Sequence, residues 1–133
     1  CKKENTLVGI TGLRLKRLGS NVYRPNYRHY LGRLFATFVS IILDLPTYDT
    51  QCGAKIFARS ILEKISMEPF ISNWFFDVEI LFRIKKEFGK EFVIKNIYEF
   101  PLSTWKEIKG SKLKLKHYFL APIELVRIYF HYS

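Results

Sequence analysis

Two short runs hold most of the groups in this chain that could do chemistry. One is Asp49-Thr50-Gln51-Cys52-Gly53-Ala54-Lys55; the other is Trp105-Lys106-Glu107-Ile108-Lys109-Gly110-Ser111-Lys112. Each sets charged groups and a glycine in a few residues between apolar segments. A phosphate-handling site takes this form when regular elements make its walls and connections carry its working groups. A carboxylate such as Asp49 can deprotonate an acceptor or position one, and a glycine close behind it lets backbone approach a ligand. Arg14, Arg24 and Arg28 form a third set. Their planar forks bind phosphate oxygens in pairs and stay charged near neutral pH. Each set also has a plain structural reading: a solvated basic loop for the arginines, an Asp-Thr turn leading into a strand, and a basic turn capping the last helix.

Composition narrows the classes. At 133 residues with 48% apolar content, the chain is one domain with enough material for a core. Its net charge of +10 favours anionic partners: nucleic acid, lipid headgroups or phosphorylated small molecules. Aromatics at 17% must fill the core or line an interface. Their spacing is core-like instead of alternating with bases on a strand face, which argues against nucleic acid as partner. The two cysteines, Cys1 and Cys52, form no CxxC pattern and suit a reducing compartment, and Cys52 reads as a small buried residue. No uncharged apolar run is long enough to span a bilayer, no signal peptide is visible, and the absence of an initiating methionine suggests a sequence that begins within a longer protein.

The elements that would position these groups follow from periodicity. Residues 6–11 read as a strand ending in a turn at Gly12-Leu13-Arg14, and 15–26 as a loop. Leu31, Leu34, Phe35, Phe38, Val39 and Ile42 recur at helical spacing, predicting a helix over 27–45 stopped by Pro46. A strand is expected at 53–59, a short helix capped by Ser60 to about Ser66, and a helix over 73–88 closed by Gly89. Within that helix Asp77 and Glu79 point to different faces and cannot jointly grip an ion; Glu79, among apolar neighbours, is expected to be partly buried and paired with a base. A strand over 92–102 and a long helix over 112–132 complete the order β-α-β-α-α-β-α, an α/β layer arrangement. The last helix opens on Lys112, Lys114 and Lys116 and continues apolar and aromatic, the build of an interfacial helix, although a core role fits it as well.

Taken together, these runs resemble the C-terminal half of the catalytic domain of family 2 glycosyltransferases, in particular the branch that moves sugars onto polyprenyl (dolichyl-type) phosphates. The resemblance covers nearly the whole chain. It implies an α/β fold forming the C-terminal part of a GT-A nucleotide-sugar transferase, a mixed sheet flanked by helices with a C-terminal amphipathic helix. Residues 1–111 would be the acceptor-side half and 112–133 an amphipathic helix open to a membrane-interfacial role. It implies Asp49 as the catalytic, acceptor-site carboxylate. Arg14, Arg28, Lys106, Ser111 and Lys112 would bind the donor phosphates, and Gln51, Gly53, Lys55 and Asp77 would support the acceptor site. Leu13 departs from the family's usual Ser, and Lys106 stands where several members carry Arg. The chain's three aspartates contain no Asp-x-Asp pair. The Mg²⁺ or Mn²⁺ such enzymes use would therefore be held outside this chain, which alone would be inactive. Implied partners are a nucleotide sugar, a polyprenyl phosphate or other lipid or glycan acceptor, and an anionic membrane on its cytoplasmic face. An unpaired sheet edge would also permit homo-oligomers. The competing reading is a non-catalytic basic module that docks on membranes.

Overall fold

In the computed structural model the described residues are 7–23, 26–106 and 115–133, with side chains in the last helix described from 119 onward. The elements run β1 (Gly9–Leu13), β2 (Asn21–Tyr23), α1 (Asn26–Leu43), β3 (Lys55–Phe57), α2 (Arg59–Ile65), α3 (Phe76–Phe88), α4 (Lys90–Asn96), β4 (Ile97–Pro101), β5 (Thr104–Lys106) and α5 (Leu115–Tyr132). The protein is thus α/β, with a mixed sheet flanked by helices. β1 lies at the centre of a three-stranded sheet, antiparallel to β3 (Thr11 opposite Lys55) and parallel to β4 (Gly9 opposite Ile97, Leu13 opposite Pro101). β2 and β5 pair in parallel as a second small sheet, with Val22 opposite Trp105.

Several expectations are corrected. The strand continues through Gly12 and Leu13, so no turn forms there. The expected 15–26 loop contains β2. The expected 53–59 strand shortens to Lys55–Phe57. The following helix is capped at Ala58, whose side chain makes no capping hydrogen bond, and not by Ser60. The 73–88 helix begins only at Phe76. The largest change is at 92–102, where the first half is helical. Phe92 stacks on Phe88 at 4.8 Å between ring centroids, and Val93 is buried in the core. Packing of these apolar groups on α3 outweighs the strand preference of the Val93-Ile94 pair. Gly89, at φ +90°, makes the break between α3 and α4, a conformation that costs glycine little.

The core gathers Val39 and Leu43 of α1, Ile61 and Ile65 of α2, Val78, Leu81, Phe82 and Ile84 of α3, Val93 of α4 and Ala121, Leu125 and Ile128 of α5. A buried polar network ties α3 to α5 inside it. Glu79, with no exposed surface, accepts from Arg83 Nη2 (2.9 Å), Tyr132 Oη (2.5 Å) and the backbone N–H groups of Ile71 (2.9 Å) and Ser72 (3.2 Å). Arg83 also donates to the carbonyls of Ile65, Glu68 and Pro69 at 2.6–2.7 Å and lies 4.3 Å over the Phe70 ring. The expected pairing of Glu79 with a base is observed, and its burial is complete where partial burial was expected.

Two helices show apolar groups on the side away from the core as well. On α1 these are Tyr27, Tyr30, Leu34, Phe38 and Ile41; on α5 they are Phe119, Ile123, Val126 and Phe130. The spacing in each is helical, so each set forms one stripe. The stripes meet at an open groove of about 690 Å³ where Ile41, Val126 and Phe130 come together beside Lys85 and Lys86.

Candidate active site

β1 delivers Arg14 immediately after its last residue, and the connection from α1 delivers Asp49. The two side chains meet in a fork. Arg14 Nε donates to Asp49 Oδ2 at 2.8 Å, Arg14 Nη2 donates to Oδ1 at 2.8 Å, and the Arg14 backbone N–H adds a third bond to Oδ2 at 3.0 Å. Both side chains are largely buried, at 14% and 12% exposure. The Arg14 guanidinium also lies 5.6 Å from the centre of the Trp105 ring. That ring is placed by the β2–β5 pair, so the second sheet brings Trp105 to the end of β1. This bidentate geometry holds an arginine in one orientation and keeps its charge near a low-dielectric surface.

The chain after Asp49 folds back onto β1 because Gly12 lets it approach. The Gly12 N–H donates to the Ala54 carbonyl at 2.7 Å, and a Cβ at Gly12 would come within 2.9 Å of Cys52 Sγ. Lys55 turns inward from β3. Its ammonium pairs with Asp77 Oδ1 at 3.0 Å and donates to the carbonyls of Thr50 (2.8 Å) and Cys52. Burial pushes the Asp77 carboxyl above the ordinary carboxylate range, against the pull of Lys55; the fields of Arg14 and Asp49 reach it too, with opposite signs. Four of the residues singled out in the sequence, Arg14, Asp49, Lys55 and Asp77, thus share one locus. Beside them Gln51 Nε2 and Thr50 Oγ1 are buried without a hydrogen-bond partner among the described residues. Such orphaned polar atoms are uncommon and mark a place where a ligand group can bind.

The remaining candidates stand as follows. Arg28, in the first turn of α1, donates from Nε to Tyr27 Oη at 3.1 Å and lies over the Tyr27 ring. Lys106 is exposed at the end of β5. Gly53 is exposed, and a Cβ there would meet nothing within 4 Å. Arg24, Ser111 and Lys112 lie outside the described residues. Cys52 is buried.

Sequence reasoning missed two contributors. Trp105 was legible only as part of a run, and Glu99 on β4 not at all. The Glu99 carboxylate accepts from the Thr47 hydroxyl (2.8 Å) and from the N–H groups of Tyr48 (2.8 Å) and Asp49 (3.1 Å).

The locus does not suit a divalent metal. Among the described residues no group of three or more His, Cys, Asp or Glu is gathered at one point. The aspartates are instead committed to cations: Asp44 to Lys90, Asp49 to Arg14 and Asp77 to Lys55. Two of these carboxylates sit beside buried positive charge that would oppose a further cation. Among the described residues no helix is long and apolar enough to cross a membrane.

No family model matches the chain, and no solved structure matches it. Curated proteins do. A dolichyl-phosphate beta-glucosyltransferase of Trichomonas vaginalis is 31% identical over 95% of this chain and 36% of its own length. The Dictyostelium discoideum enzyme of that name is 31% identical over 98% of this chain and 38% of its own. The Saccharomyces cerevisiae enzyme is 38% identical over 71% of this chain and 26% of its own. The chain therefore spans between about a quarter and two-fifths of the length of these relatives. Across almost its whole length, this chain is a homologue of the dolichyl-phosphate beta-glucosyltransferases.

Proposed function

We propose that this chain is the acceptor-side part of a glycosyltransferase that moves a sugar from a nucleotide donor onto a polyprenyl phosphate at a membrane surface. The observation that carries the reading is the Arg14–Asp49 fork at the end of β1, with the Arg14 guanidinium 5.6 Å over the Trp105 ring, in a chain homologous to dolichyl-phosphate glucosyltransferases. The overall architecture would be GT-A and the reaction inverting. The Mg²⁺ or Mn²⁺ of that chemistry would sit on carboxylates outside this chain, so the piece alone would not turn over.

Within this reading a phosphate oxygen of the acceptor attacks the anomeric carbon while the nucleoside diphosphate departs. A phosphate monoester is already ionised near neutral pH, with a second pKa of about 6, so attack needs no proton removal. Asp49 fits that economy. Both its oxygens receive donors from Arg14, which makes it a poor base and a good orienter of the guanidinium. Arg14 then contributes fixed positive charge to the phosphates, with Arg28, Lys106, Ser111 and Lys112 as further donor-side groups. Gln51, Gly53, Lys55 and Asp77 form the acceptor side, where the orphaned Gln51 Nε2 offers a donor.

The membrane partner is supported by the outward stripes of α1 and α5, which meet at one groove beside lysines. Rings and aliphatic groups enter the acyl boundary while basic groups, including Lys112, Lys114 and Lys116, meet anionic headgroups of the cytoplasmic leaflet. The same stripes also favour the second reading, a non-catalytic docking module. One experiment separates them. The full-length protein is incubated with labelled nucleotide sugar and polyprenyl phosphate in anionic vesicles. Transfer to the lipid supports the first reading; salt-sensitive vesicle binding without transfer supports the second.

A further inference from the structure

The connection that carries Asp49 is held in an unusual way. It leaves α1 through Asp44, which has a left-handed φ of +51°, and is tied at Leu45 to Ser40. Behind Leu45, Pro46 and Thr47 lies a cavity of about 160 Å³, walled by Thr11, Leu81, Val93 and Ile97. Packing behind residues 45–47 is therefore incomplete. Arg14 holds the Asp49 side chain, and on the backbone side a single carboxylate ties the connection. Glu99 points from β4 to the same cavity and accepts from three consecutive residues: the Thr47 hydroxyl at 2.8 Å, the Tyr48 N–H at 2.8 Å and 3.0 Å to its two oxygens, and the Asp49 N–H at 3.1 Å. Glu99 stands opposite Thr11 in the β1–β4 ladder, two residues before the strand end from which Arg14 leaves. It therefore ties the Asp49 connection to the same strand pair that sets Arg14.

We propose that Glu99 is the positioning residue of this site. It holds the Asp49 backbone so that both carboxylate oxygens meet the Arg14 fork, and it acts on the phosphates only through that pair. The proposal deepens the glycosyl-transfer reading and rests on it for its catalytic consequence. Charge-assisted bonds to backbone N–H groups are among the stronger hydrogen bonds. Loosening this connection would let Asp49 drift, and displacement of a working group by about 1 Å is enough to cost about a hundredfold in rate.

The test uses Glu99→Gln and Glu99→Asp in the full-length protein, each alone and with Asp49→Asn. Glu99→Gln keeps one acceptor oxygen and turns an NH₂ toward the donors. The expected result is a fall in kcat of about tenfold to a hundredfold with donor KM changed far less. In the Asp49→Asn background the same change should alter kcat less than about twofold, because the residues act as a unit. Glu99→Asp keeps the carboxylate on a shorter arm and should recover part of the loss, which also covers failure of the Gln variant to fold. Hydrogen exchange provides a readout independent of transfer. The Tyr48 and Asp49 amides should exchange at least about tenfold faster in Glu99→Gln while α3 amides stay protected. Multiplicative kcat losses in the double variant, or unchanged exchange at Tyr48 and Asp49, would overturn the proposal. If the wild type transfers no sugar, the glycosyl-transfer reading fails, and the exchange result still decides whether Glu99 holds the connection.

Discussion

Arg83→Met is the substitution whose cost can be worked most fully from the structure. The side chain is 7% exposed and makes five hydrogen bonds: to Glu79, to Tyr132 and to the carbonyls of Ile65, Glu68 and Pro69. Methionine fills similar volume but supplies no donor. It leaves the Glu79 carboxylate, which has no exposed surface, without its cation and three carbonyls without their partner. Removing one partner of a buried pair typically costs about 3–5 kcal/mol, because the other charge stays buried. The Ile71 and Ser72 N–H groups and the Tyr132 hydroxyl still bond Glu79 and soften the loss, which favours the lower half of that range. At roughly 4 °C per kcal/mol for a domain of this size, the melting temperature should fall by about 12–16 °C. Thermal and urea denaturation followed by circular dichroism measure the temperature shift and the free-energy loss, with Glu79→Gln/Arg83→Met as partner variant. Removing the stranded charge should make the double variant more stable than Arg83→Met alone. A loss under about 1 kcal/mol for Arg83→Met, or a double variant no better than the single, would refute the claim that this network is a buried, mutually dependent unit.

Two further outcomes follow from packing and protonation. Gly12→Ala places a Cβ 2.9 Å from Cys52 Sγ and 3.1 Å from Ala54 Cβ, so thermal melting should show a loss of about 1–3 kcal/mol, partly recovered by Cys52→Ala. Burial, reinforced by the Glu79 carboxylate, pushes the Tyr132 hydroxyl from its usual 10.0 up to about 12. Because the folded value lies above the unfolded one, its contribution is complete below pH 10 and is lost as pH rises toward 12. The denaturation midpoint of Tyr132→Phe should accordingly fall less steeply over that interval than that of the wild type.

The helices were legible where apolar spacing was long and regular, as in α1, α3 and α5. The run from Phe92 was misread because a short apolar stretch rich in β-branched residues fits a strand as well as a helix. What decides is Phe92 meeting Phe88 and Val93 reaching the core, and both depend on the break at Gly89. β2 and β5, at three residues each, carry almost no pattern, since their stability comes from pairing across more than eighty residues of sequence. At the site, Arg14, Asp49, Lys55 and Asp77 were each identifiable by type and setting. Their pairing was not, because it is set by the β1–β3 register and the close approach at Gly12. Glu99 gave no signal because an acidic residue in a short strand looks like an outward polar position. Only the return of the 47–49 connection gives it donors.

The most direct test of the central claim is sugar transfer to polyprenyl phosphate by the full-length protein and its Arg14→Lys, Asp49→Asn and Arg14→Lys/Asp49→Asn variants. Lysine keeps the charge at 14 but cannot make the two-pronged contact, and asparagine keeps the shape at 49 without the charge. If the fork is the working unit, each single change should cost about a hundredfold in kcat/KM, and the double variant should be no worse than the poorer single. An inactive wild type, or a double variant whose loss is the product of the singles at about ten-thousandfold, would contradict it.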